Sequence, residues 1–174
     1  MTVIALRQLL FVMVVSVVQV VCADKYADWS VNIASNQDFL FAATVNDSGA
    51  LLGQFCYTDE AACLWLLTSD SSCEKNVKYP ALINSDGGAF LAEFVCQGQI
   101  ESRQRFGYAF ANFEQMNHLI ASATKVGIAF PLQGDQFRVM RFSLRGAQHA
   151  LNKMHSEAER LMKKNQRTTR DIFL

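Results

Sequence analysis

Beyond its first twenty-odd positions the chain is built mostly of short runs in which apolar and polar residues alternate, the period of a strand with one buried face. Trp29 to Ile33 alternates in this way. Phe39 to Val45 and Leu51 to Tyr57 flank Asn46-Asp47-Ser48-Gly49, residues that tolerate positive φ, so this stretch predicts a hairpin. Leu64 to Thr68 follows as a further strand. Tyr79 to Ile83 and Phe90 to Cys96 flank Asn84-Ser85-Asp86-Gly87-Gly88, the clearest turn in the chain, and Phe106 to Phe110 alternates large apolar residues with small ones. A third hairpin is expected from Val126-Gly127-Ile128-Ala129-Phe130, through Gln133-Gly134-Asp135, to the run Phe137 to Phe142. There Phe137, Val139 and Arg141 face one way and Arg138, Met140 and Phe142 the other.

Two stretches break the period of two. Asn112 is placed to cap a helix running to about Ala123, with Phe113, Met116, Leu119 or Ile120, and Ala123 as its buried stripe. From Ala147 onward, Ala147, Ala150, Leu151, Met154, Ala158, Leu161 and Met162 recur at three- and four-residue steps, with Gln148, Asn152, Lys153, Ser156 and Glu157 opposite them. That is an amphipathic helix, expected to end at Lys163-Lys164-Asn165, where cations suit the helix terminus, with 166–174 as a flexible tail. The fold class expected is α+β: a β-rich antiparallel sheet or small sandwich with a C-terminal amphipathic helix.

The N-terminus has a different character. Met1 to Gln8 carries one positive charge, Arg7, and Leu9 to Val21 is apolar apart from Ser16 and Gln19. The apolar run is about 13 residues, short of the ~20 of a membrane span, and Val21-Cys22-Ala23 puts small residues where a signal peptidase reads them. A signal peptide over 1–23, cleaved after Ala23, is expected, with an uncleaved anchor or lipidation of Cys22 as alternatives. The domain then covers 24–165 and is periplasmic or secreted, with no stable membrane span once the leader is gone. About 150 residues suffice for one hydrophobic core and not for two.

Cleavage changes the thiol count from five to four: Cys56, Cys63, Cys73 and Cys96. An even set in an exported chain predicts two disulfides. Three pairings are open; Cys56 and Cys63 flank the turn-like stretch Tyr57 to Ala62, and Cys73 with Cys96 would then close the longer loop. A four-thiolate zinc site is the alternative, disfavoured because structural zinc ligands come in pairs two to four residues apart.

Sixteen basic and sixteen acidic residues cancel, so no global field points to nucleic acid or to an anionic surface. The chain has no Gly-x-Ser-x-Gly elbow, phosphate-binding loop, His-Glu-x-x-His or dinucleotide fingerprint. No cofactor, metal site or catalytic residue is assigned. His149 and His155 stand about 240° apart around a helix and make no shared ligand face, and His118 is the third histidine. Asp59, Glu60, Asp70, Glu74 and Asp86 lack the spacing of a calcium loop and read as solvated carboxylates. The basic end, Lys153 to Arg170, reads as a solvated helix face. Asn46 heads an Asn-Asp-Ser sequon. Arg103, Arg105, Arg138 and Arg141 lie on strand-like segments among Phe106, Phe110, Phe137 and Phe142, and arginines beside aromatics make them the candidate interaction residues.

The run Gly127-Ile128-Ala129-Phe130-Pro131-Leu132, the strand to Phe142, and then Ser143-Leu144-Arg145-Gly146 leading to Ala150-Leu151 resemble the C-terminal end of invasion-associated locus B proteins. Those are small exported bacterial envelope proteins in which a strand ending in Ser-Leu-x-Gly runs into a closing helix. The resemblance covers about a sixth of the mature chain and departs from the pattern at Ala147, where an aromatic residue is expected. It implies a periplasmic or secreted β-rich domain without established catalysis. The function expected is that of an exported, non-enzymatic protein binding another protein or a surface polysaccharide, in host interaction or virulence. A periplasmic hydrolase with a dispersed site and an envelope assembly factor are the alternatives.

Overall fold

The computed structural model describes residues 23–33, 39–59, 62–100, 105–131 and 136–170. Residues 1–22 of the leader, Glu60, Arg103, the Gln133-Gly134-Asp135 turn and residues 171–174 lie outside them. Ten strands are described: β1 (Asp24–Tyr26), β2 (Trp29–Ile33), β3 (Phe39–Val45), β4 (Leu51–Tyr57), β5 (Ala62–Ser69), β6 (Lys78–Ser85), β7 (Gly88–Ile100), β8 (Arg105–Phe110), β9 (Lys125–Pro131) and β10 (Phe137–Ser143). Helix α1 (Phe113–Ser122) precedes β9 and helix α2 (Ala147–Arg170) follows β10. The strands form one antiparallel sheet in the order β1-β2-β3-β4-β5-β8-β7-β6-β9-β10. The protein is therefore α+β and β-rich, a single sheet closed by a C-terminal helix.

Local chemistry explains the hairpins. In the β3–β4 turn Gly49 takes φ +73°, and the Asn46 side-chain carbonyl accepts from the Ala50 N–H and the Ser48 hydroxyl, both at 2.9 Å. In the β6–β7 turn Gly88 takes φ +128°. Strand β7 runs past Cys96, the expected end, to Ile100, because a register shift at Cys96/Gly98 bends it without breaking its pairing to β8. Asn112 caps α1, its side chain accepting from the Gln115 N–H at 3.0 Å.

The buried stripe of α2 is Ala147, Ala150, Leu151, Met154, Ala158 and Leu161, and the helix lies against β1 to β4. Each buried Leu or Met contributes about 1.5–3 kcal/mol of transfer free energy. The helix continues to Arg170 rather than ending at Asn165, since lysines favour a helix end without stopping one and no Gly or Pro intervenes. No helix among the described residues is long and apolar enough to cross a membrane.

Both indoles are buried and meet edge to face, Trp29 on Trp65 with ring centroids 6.3 Å apart. Phe94, Tyr108, Phe110 and Phe130 form a second aromatic group. Burial, with the Tyr79 hydroxyl beside it, pushes the Tyr108 phenol up to about 12. Two disulfides tie the sheet. Cys56–Cys63 joins residues directly opposite each other on β4 and β5, and Cys73–Cys96 fastens the β5–β6 connection to β7.

The Ser143-Leu144-Arg145-Gly146 segment locks the two ends of the sheet together. Ser143 Oγ donates to Asp28 at 2.6 Å, and the Ser143 carbonyl accepts from Trp29 Nε1 at 2.9 Å. Leu144 is buried. Gly146 takes φ +87°, and a methyl group in its place would lie 2.0 Å from the Tyr26 carbonyl oxygen. Only glycine fits there.

Candidate functional site

The candidate arginines occupy three different surroundings. Arg105 donates through Nη2 to the Ser48 carbonyl at 2.9 Å and lies over Gly49, bracing the β3–β4 turn. Arg138 grips the Asp70 carboxylate with both terminal nitrogens, Nη2 to Oδ2 at 3.0 Å, and reaches Ser71. Partial burial works against the charged form of Asp70, but the Arg138 hydrogen bonds and charge outweigh it and hold the carboxyl below its usual range. Arg141 points to the other face of β10 and has no side-chain hydrogen bond or ion pair among the described residues. Arg103 is outside them. Of the neighbouring phenylalanines, Phe110 and Phe142 are buried, Phe106 is partly buried and Phe137 is exposed.

The outward face that Arg141 shares carries an apolar row. In register across four neighbouring strands stand Leu91 on β7, Leu82 on β6, Ala129 on β9 and Val139 on β10. Leu91 is 79% exposed, Leu82 47% and Val139 48%, and Phe137, two residues along β10, is 70% exposed. These open, adjacent side chains make one contiguous apolar patch on the sheet face rather than scattered surface residues. At its far side the row meets a polar end where Asn84, Asp86, Lys125 and Arg141 rim a shallow hollow. Hydrogen bonds from the Thr124 hydroxyl and amide hold the Asp86 carboxyl below its usual range. Sequence alternation set Phe137, Val139 and Arg141 on one side, but singled out neither Leu82 nor Leu91.

A second constellation had no sequence signal. His155 Nε2 lies 2.5 Å from Gln54 Oε1, Gln54 Nε2 lies 3.4 Å from Asn117 Oδ1, and Trp65 Nε1 donates to that same oxygen at 2.9 Å. This polar chain joins α2, β4, α1 and β5 through the buried Gln54. Burial pushes the His155 imidazole below its ordinary value, with the Glu159 charge opposing. The ligand atoms of Cys56, Cys63 and His155 lie within 4.8 Å of one another, but the two sulfurs are bonded to each other and offer no thiolate. His118 and His149 are exposed on α1 and α2. The described carboxylates bring no three ligand atoms that close together, and neither histidine lines the hollows beside β7, at the β6–β9–β10 face or beside β1.

No protein-family model matches the sequence, and no curated protein does. Among solved structures the fold is similar to the crystal structure of invasion associated protein B from Bartonella henselae. The match has a TM-score of 0.56 at 15% sequence identity and covers 79% of this chain and 99% of that one. At that identity the likeness is one of fold.

Proposed function

We propose that the protein acts outside the cytoplasm as a non-enzymatic binding domain, engaging another macromolecule through the outward face of β7, β6, β9 and β10. One observation carries this reading: the apolar row Leu91, Leu82, Ala129 and Val139, in which both leucines and the valine are exposed, with Arg141 beside it. Interfaces are centred on apolar and arginine side chains of this kind. Two disulfides suit an oxidising compartment. The neighbour of like fold is an invasion associated protein, which favours a role in host interaction. Cleavage after Ala23 would leave β1, beginning at Asp24, intact, so the working form is taken to be a single domain starting there.

The test is saturable binding of the labelled mature protein to host-cell surfaces and to the producing cell's own envelope fraction. Leu82→Glu with Leu91→Glu puts two charges into the row at exposed positions. The expected result is at least a tenfold loss of binding with unchanged circular dichroism and melting temperature. Undiminished binding by that variant would remove this face from consideration. Intact mass with and without reductant checks the leader and the thiols: the expected product starts at Asp24 and gains four hydrogens on reduction.

A further inference from the structure

We infer that the free edge of β10 is a self-pairing surface, at which a second copy of this chain adds its own β10 antiparallel about a two-fold axis. This goes beyond the binding reading, because it concerns the backbone edge of the sheet rather than its outward side-chain face.

The two ends of the sheet differ. β1 is three residues long, Tyr26 is packed against Gly146, and Lys153 of α2 reaches Asp24 at 3.9 Å. β10 is seven residues long, pairs with β9 in unbroken register over its whole length, and among the described residues has no strand hydrogen-bonded to its other side, although β3 comes near it where Val45 shares a hollow with Arg141 and Phe142. Natural sheets blunt such edges with proline, lysine, bulges or a covering segment. Between Phe137 and Arg141 β10 has no proline, lysine or bulge, and its only charges are Arg138, which turns to Asp70, and Arg141.

The direction of its backbone groups follows from two contacts. The Leu144 N–H bonds to the Thr124 carbonyl at 2.8 Å, toward β9. The Ser143 carbonyl instead accepts from Trp29 at 2.9 Å, away from β9. Backbone groups two residues apart in a strand point to the same side, so Arg141, Val139 and Phe137 aim their N–H and C=O groups off the open edge. The β1–β2 turn, which bonds through the Asp28 N–H to the Arg145 carbonyl, bounds this free segment.

Three outward residues of equal parity permit a symmetric pairing centred on Val139. Val139 then faces its own copy, and Phe137 faces Arg141 of the second copy, twice over by symmetry. The pairing is self-complementary. It buries two exposed valines together and sets each guanidinium, which has no partner among the described residues, over a ring that is otherwise 70% exposed. A hollow that includes Arg141, Val45 and Phe142 in its lining opens beside the strand at this point and leaves room for the incoming ring. The apolar row of one copy, ending at Val139, would continue into that of the other.

An edge contact of this size predicts a monomer–dimer equilibrium in roughly the micromolar range. Sedimentation equilibrium of the mature protein over a concentration series should show it. Val139→Lys, a change at an exposed side chain, should leave the protein monomeric and folded. Val139→Cys should give a disulfide-linked dimer on mild oxidation, since directly opposed residues lie about 5.5 Å apart, within the reach of a disulfide. Phe137→Cys should not. Phe137→Glu, which sets a carboxylate against Arg141 of the second copy, should keep or strengthen the dimer, and adding Arg141→Ala should weaken it at least tenfold. A monomer at all concentrations to about 1 mM overturns the inference. So does a dimer that survives Val139→Lys or fails to cross-link through Val139→Cys, because it would use another surface.

Discussion

Replacing Gly146 by alanine tests the junction on which the closing of the sheet depends. At φ +87° an alanine meets the left-handed penalty of about 1–2 kcal/mol, less about 0.4–1 kcal/mol because alanine also restricts the unfolded chain. The larger effect is steric. The added methyl would stand 2.0 Å from the Tyr26 oxygen and 2.7 Å from its carbonyl carbon, and backbone atoms cannot rotate out of the way as the end of a side chain can. The β1–β2 turn must therefore move. Movement breaks the Asp28 to Arg145 bond of 3.3 Å and the Trp29 to Ser143 bond of 2.9 Å. The second leaves a buried indole N–H without an acceptor, at about 1–3 kcal/mol. The sum is a destabilisation of about 1–5 kcal/mol, or a melting temperature lower by roughly 2–4 °C for each kcal/mol in a domain of this size. Gly88→Ala is the control, because Gly88 also has positive φ but no atom lies within 4 Å of the added methyl. It should show only the conformational penalty. Urea unfolding followed by tryptophan fluorescence measures both, and a Gly146→Ala effect within about 1 kcal/mol of the Gly88→Ala effect would refute the steric account.

Other consequences follow from the braces and bridges. His155 is harder to protonate folded than unfolded, so its contribution to stability is whole above its unfolded value of 6.5 and declines as pH falls below it toward the folded value; His155→Gln should flatten that decline, and identical pH profiles for the two proteins would count against it. Asn117→Leu should cost about 1–3 kcal/mol in chemical denaturation, because it leaves the buried Trp65 N–H unsatisfied, and a neutral effect would contradict the bond. In the loop-entropy model, closing loops of 7 and 23 residues gives about 2 and about 3 kcal/mol. Paired alanines at Cys73 and Cys96 should thus destabilise by about 1 kcal/mol more than paired alanines at Cys56 and Cys63, and the reverse order in denaturant would exclude loop length as the cause. Arg138→Ala should cost about 0.5–1 kcal/mol at neutral pH, since the pair with Asp70 is partly exposed. Because Asp70 titrates below its unfolded 3.8, that difference should shrink as pH falls below 3.8, and a constant gap across an acid titration would refute it.

What could be read from the chain alone was whatever is encoded within a few residues. The Asn46 to Gly49 turn, the Asn112 cap and the α2 stripe each rest on contacts between near neighbours, and each formed where the pattern put it. The pattern also separated Phe137, Val139 and Arg141 from Met140 and Phe142. It was silent on which side would stay wet, since strands with mixed faces have no polar side to mark solvent. The four arginines looked alike in sequence. The three among the described residues differ because Arg138 meets a carboxylate 68 positions away, Arg105 meets a carbonyl 57 positions away and Arg141 meets neither.

By itself, then, the sequence determined the strands from Trp29 onward, the turns before β4 and β7 and the two helices, because backbone geometry and side-chain period act locally. Only the tertiary structure decided that β5 lies beside β8 and β6 beside β9, which cysteines join, that Gly146 must clear Tyr26, and that Leu91, Leu82, Ala129 and Val139 fall into one apolar row. Those are pairings between residues far apart in the chain. They are selected by how the whole sheet buries its core, and no single segment carries that information.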